Sequence, residues 1–162
     1  MTARVFGMSD FANEERVVTS SRVIKAPVDQ VFELIADPAR QPEWDGNDNL
    51  VAAAPGQRVR QVGDVFVSST TKGTDRENHV VEFEEGRRIA WKPASVGKAP
   101  AGHLWRWEVE PTAEGHTVAT HTYDWTELHD EKRLAKARST KQANLDASLK
   151  RLAELVEQVP VG

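Results

Sequence analysis

From Glu131 to Val159 the sequence contains neither glycine nor proline and is dense in Ala, Leu, Lys, Glu and Arg, so about thirty residues after His129-Asp130 read as one terminal helix. Its second half carries an apolar stripe, Leu145, Leu149, Leu152 and Val156, with Asp146 and Lys150 as an exposed pair four apart. The first half is more polar on that side, where Leu134 and Ala137 stand beside Arg138 and Lys141, and it is expected to line something other than dry core. A helix with one apolar stripe must bury it against a second layer.

That layer is written upstream as strands. Between Leu50 and Trp125 short β-like runs alternate with turn residues, the rhythm of an antiparallel meander. Strands are predicted near Leu50–Ala54, Val62–Thr71, Glu77–Glu84, Arg88–Lys92, His103–Glu110 and Thr117–Trp125, with turns at Gly73, Glu85-Gly86, Ser95–Gly102 and Ala113-Glu114-Gly115. Arg16–Lys25, rich in β-branched residues, precedes them as a first strand. Pro27 opens a short amphipathic helix with Val28, Val31, Phe32 and Ile35 on one face, closed by Asp37-Pro38. Pro42-Glu43-Trp44 then leads into a chain reversal at Asp45–Asn49. The order predicts an α+β fold: a curved antiparallel sheet wrapped around the C-terminal helix. Residues 1–15 read as a tail or edge segment and 16–160 as a single domain.

Composition narrows the partners. With 25 Asp+Glu against 21 Lys+Arg the net charge is −4, the wrong sign for neutralising phosphates, so nucleic acid is not expected. The absence of cysteine removes disulfides, thiolate nucleophiles and Cys-based zinc sites. No run is long and apolar enough for a membrane span, and a cytoplasmic location is the expectation.

Several side chains invite chemistry. Trp105 and Trp107 share a strand face, Arg106 and Glu108 alternate with them, and Trp91 on the preceding strand can complete an aromatic wall. His79 alternates with Val81 and Phe83, and His103 with Trp105 and Trp107, so both could reach an inner face. His116 and His121, five apart on a strand, face opposite ways and cannot chelate one ion; no metal or other cofactor is expected. Thr120, Thr122 and Asp124 share a face with Val118. If Val118 points inward, Asp124 is a carboxylate beside the interior, as general base or as cap of the following turn.

The chain resembles the START-like helix-grip (SRPBCC) superfamily, in its polyketide cyclase/dehydrase and lipid-transport branch. The resemblance rests on Ala26-Pro27 with Val31-Phe32, Ile35-Ala36-Asp37-Pro38, Trp44, Val62-Gly63-Asp64-Val65-Phe66, Trp105, Trp107, Val109, Pro111, Gly115 and Val118, followed by the long helix. It implies a deep cavity between the sheet and that helix. Candidate lining residues are then Phe66, Ser68, His79, Val81, Phe83, Trp91, His103, Trp105, Trp107, Thr120, Thr122, Lys141 and Leu145. The leading reading is binding or carriage of a small hydrophobic or aromatic molecule. The rival is a polyketide cyclase or dehydratase using Asp124 or His79, and a third is a module whose aromatic face meets a partner or a second copy as a homodimer.

Overall fold

The computed structural model describes residues 14–157. Most of the 1–15 segment and the expected helix end at Pro160 lie outside the described residues. Seven strands form one antiparallel sheet: β1 (Val17–Ile24), β2 (Leu50–Ala52), β3 (Val65–Thr70), β4 (Asp75–Glu84), β5 (Arg88–Ser95), β6 (Leu104–Pro111) and β7 (Thr117–Asp124). Their order is β1-β7-β6-β5-β4-β3-β2, so each strand of the meander lies beside its chain neighbour and the first strand closes against the last. Helix α1 (Val28–Ala36), a 3-10 turn (Pro38–Arg40) and α2 (Gln41–Trp44) follow β1, and α3 (Glu131–Ser139) and α4 (Gln142–Glu157) follow β7. The architecture is the expected α+β helix grip.

The terminal helix is two helices rather than one. Thr140 leaves helical geometry at φ −81°, ψ 109°, and its hydroxyl and that of Ser139 both donate to the Lys136 carbonyl. The Asn144 side chain accepts from the Lys141 N–H and starts α4. Adjacent Ser and Thr offer the backbone local partners that compete with the helix, so a break forms without glycine or proline.

Helix α4 buries Leu145, Leu149, Leu152 and Val156. The last three join the core formed by Ile24, Phe32, Ile35, Val80, Ile89 and Trp107. A second apolar cluster, Tyr123, Trp125, Leu128, Ala137 and Leu145, lies under α3, and Trp105 packs against both. The reversal after α2 is latched onto α4: the Gly46 N–H donates to Ser148 Oγ at 3.1 Å, the Asn47 side-chain amide donates to the Asn144 backbone carbonyl and accepts from the Asn144 side-chain amide, and Arg151 donates to the Asp45 carbonyl. A Cβ at Gly46 would sit 2.4 Å from the Ala147 carbonyl carbon, so only glycine permits this approach.

Register settles which residues face inward. Trp91 pairs with Trp105, Ile89 with Trp107, Trp107 with His121 and Trp105 with Tyr123, all on the concave face. On β7 the inward row is therefore Ala119, His121 and Tyr123. Val118, Thr120, Thr122 and Asp124 face the convex side, contrary to expectation, where Thr122 and Thr120 meet Thr19 and Ser21 hydroxyl to hydroxyl. In β4 the register shifts between Val80 and Glu82. This bulge at Val81 leaves Asn78, Val80 and Phe83 inward, while His79 and Val81 face outward.

Candidate functional site

A cavity of about 400 Å³ lies between the concave face and helices α2, α3 and α4. Trp91, Trp105 and Trp107 form one wall, as their strand positions suggested, and Trp44 from α2 meets Trp107 edge to face at 5.2 Å. Trp107 is 0% exposed and Trp91 is buried, so these two indoles face the interior, while Trp105 is partly exposed. Ser68, His103 and Leu145 of the sequence candidates also line the cavity. Phe66 and Phe83 lie behind it in the core, Phe66 edge-on to Trp91 at 5.4 Å and Phe83 edge-on to Phe32 at 5.9 Å.

The remaining candidates are elsewhere. His79, Val81, Thr120 and Thr122 are on the convex face because of the bulge in β4 and the parity of β7. Lys141 is exposed at the joint between α3 and α4 and lines a separate cleft beside Trp125. Of the two acid-base candidates, Asp124 also faces outward, its Oδ1 accepting from the N–H and hydroxyl of Thr126 as a turn cap. His79, the other, has Nε2 buried on the outer side without a hydrogen-bond partner among the described residues.

Sequence reasoning missed Asn78, His121 and Tyr123. Asn78 is buried and donates to Ser68 Oγ at 3.0 Å and to the Phe66 carbonyl. His121 stacks on Trp107 at 3.9 Å and on Trp105 at 5.5 Å. Its Nδ1 lies 3.1 Å from the Arg106 carbonyl, an atom that can only accept, so the neutral ring carries its hydrogen on Nδ1 and Nε2 is the acceptor. Its aromatic row, Ala119, His121 and Tyr123, was the available signal for the inward face of β7.

The two histidines and the tyrosine that line the site are uncharged at neutral pH. Burial drives the His121 pKa down to about 3. His103 falls to about 4, chiefly through burial and further through the nearby Arg133 and Arg76 guanidiniums. Burial holds the Tyr123 phenol up at about 12. Trp107 Nε1 and His103 Nδ1 are buried with no hydrogen-bond partner among the described residues, whereas Trp44 Nε1 is satisfied by the Leu34 carbonyl at 2.7 Å. An apolar wall with a few unspent polar groups is the chemistry of a small-molecule site. Among the described residues, no group of three His, Asp or Glu side chains is placed to hold a metal ion, and no helix is long and apolar enough to cross a membrane.

Comparison with known proteins agrees with this geometry. Residues 15–157 match the family model described as polyketide cyclase / dehydrase and lipid transport. The chain belongs to that family. Another protein similar to it is the uncharacterized protein MT0096 of Mycobacterium tuberculosis, 29% identical over 111 residues, which are 67% of this chain and 47% of that protein. The chain thus spans about half the length of the curated relatives it matches. Among solved structures, protein MLL2253 of Mesorhizobium loti superposes with a TM-score of 0.66 at 17% identity, over 90% of this chain and 100% of that one. DynU16, a protein of the dynemicin biosynthetic locus, superposes with a TM-score of 0.62 at 21% identity, over 89% of this chain and 48% of that one. At these identities the two structures show a shared fold.

Proposed function

We propose that the protein binds and carries a small hydrophobic or aromatic molecule in the cavity between the sheet and the C-terminal helices. The observation that carries this reading is the wall of Trp91, Trp105 and Trp107 around about 400 Å³ of space, with the Trp107 indole N–H left unpaired. A buried donor without a partner costs about 1–3 kcal/mol, which a ligand acceptor would return. The family, whose description includes lipid transport, is consistent with such a role.

Cyclisation or dehydration in the same cavity is the weaker reading. Asp124 and His79 face away from it, and His121, held near pKa 3 by burial, is a poor base at neutral pH. Titration with a flat polycyclic phenol, followed by tryptophan fluorescence, tests carriage. An apolar compound of about 20 heavy atoms, at roughly 0.3 kcal/mol per atom, is expected to bind at tens of micromolar. A folded protein that takes up neither phenols nor fatty acids at about a tenfold higher concentration contradicts it.

A further inference from the structure

Two guanidinium groups from different elements converge at one end of the cavity. Arg76 of β4 lies on the concave face opposite Ser95, and Arg133 of α3 donates from Nη2 to the Ser95 hydroxyl at 3.1 Å. Both are half-buried, and the charge of both is felt at His103. Exposed Lys72, Lys132 and Lys136 line the same cavity and mark where it opens.

These charges are scarcely balanced within the protein. Among the described residues none of Lys72, Arg76, Lys132 or Lys136 forms an ion pair, and Arg133 has only the partly exposed Asp130 at 3.3 Å. Among the described residues Asp45 is the one carboxylate lining the cavity, and its oxygens already accept from the backbone N–H groups of Asn47, Asn49 and Leu50. In a chain whose net charge is −4, five cations around one opening are a local reversal of sign. Like charges held close in a half-buried site repel unless an anion joins them. His103 Nδ1, buried and unpartnered, adds a potential N–H donor at the same end.

The geometry points to an amphipathic acid as the ligand class: an apolar or aromatic body against the tryptophan wall, with a carboxylate or phosphate monoester between Arg76 and Arg133. This rests on the cavity being a ligand site, and it adds which end of the ligand carries charge.

The test compares N-phenylnaphthylamine with anilinonaphthalene sulfonate, the same fused-ring body without and with an anionic group, by dye fluorescence. The sulfonate is expected to bind about tenfold or more tighter, from charge-assisted hydrogen bonds. In Arg76→Gln that preference falls toward unity while the neutral dye binds as before, showing that the cavity is intact; the exposed Lys150→Gln control keeps the full preference. Naphthoate and naphthyl phosphate, each against methylnaphthalene, then separate a free acid from a phosphorylated ligand. Equal affinity for neutral and anionic probes, or an anion preference unchanged in Arg76→Gln and Arg133→Gln, overturns the proposal and leaves cavity binding standing. Failure of every probe to bind the folded protein overturns both.

Discussion

His121 is clasped between two indoles and spends its one hydrogen on the Arg106 carbonyl, so protonating it would place an unpaired charge in apolar surroundings. Its folded pKa of about 3 lies far below the ordinary value of 6.5, which links stability to pH. Above pH about 6.5 folded and unfolded chains are both neutral at this ring and its contribution is fully present. As pH falls below that value the unfolded chain takes up a proton that the fold refuses, and stability drains until the pH reaches the folded pKa. His103, held near 4, acts in the same direction, and together the two rings make a loss on the order of several kcal/mol available on the acid side. Urea unfolding at about pH 7.5, 6 and 5 should show this decline, and His121→Asn, which does not titrate there, should show a flatter one. A stability that is level from about pH 7.5 to 5 in the unsubstituted protein contradicts the buried neutral pair. Trp107 has a structural share as well: fully buried against His121 and Trp44, its replacement by Ala should cost about 3–5 kcal/mol of stability, so Trp105→Ala is the cleaner probe of binding.

Helix α4 is held by two devices that can be broken separately. Leu149 and Leu152, 1% and 0% exposed, pack on the sheet core, and each change to Ala should lower stability by about 2–5 kcal/mol. Gly46→Ala should cost about 1–3 kcal/mol or more by forcing the α2–β2 reversal off α4, because the Cβ meets rigid backbone rather than a side chain that could yield. Denaturant midpoints check both, and a neutral result at Gly46 would mean the latch is looser than its hydrogen bonds indicate. The succession of elements was readable because its signals are local: turn residues between β-branched runs, Pro27 at a helix start, a heptad-like stripe at the end. Strand facing was not readable wherever it depended on a partner. The bulge at Val81 reverses parity midway along β4, putting His79 outside and Asn78 inside, and on β7 Val118 and Ala119 did not separate the two rows, so the rings of His121 and Tyr123 were the signal left for the inward one. The joint at Ser139-Thr140 escaped for another reason: it is made by hydroxyls returning to the Lys136 carbonyl, with no residue that forbids a helix.

At the scale of the whole molecule the sheet, the paired C-terminal helices and α2 enclose space that the core does not fill, and four of the five tryptophans border it. Trp44, Trp91, Trp105 and Trp107 line the cavity, while Trp125 lies outside it, under the Arg16 guanidinium at 4.7 Å. Occupancy should raise stability by mass action, by about 2.7 kcal/mol at a hundredfold excess over the dissociation constant, and a thermal shift would register it. The five indole N–H groups also provide a resolved internal reporter of where a ligand sits. Titrating N-phenylnaphthylamine into nitrogen-15-labelled protein should move the indole resonances of Trp105, Trp107 and Trp91, and that of Trp44 through its contact with Trp107, while Trp125 stays in place. Saturating dye that leaves the four cavity indoles unmoved, or that shifts Trp125 alone, would contradict an internal ligand site.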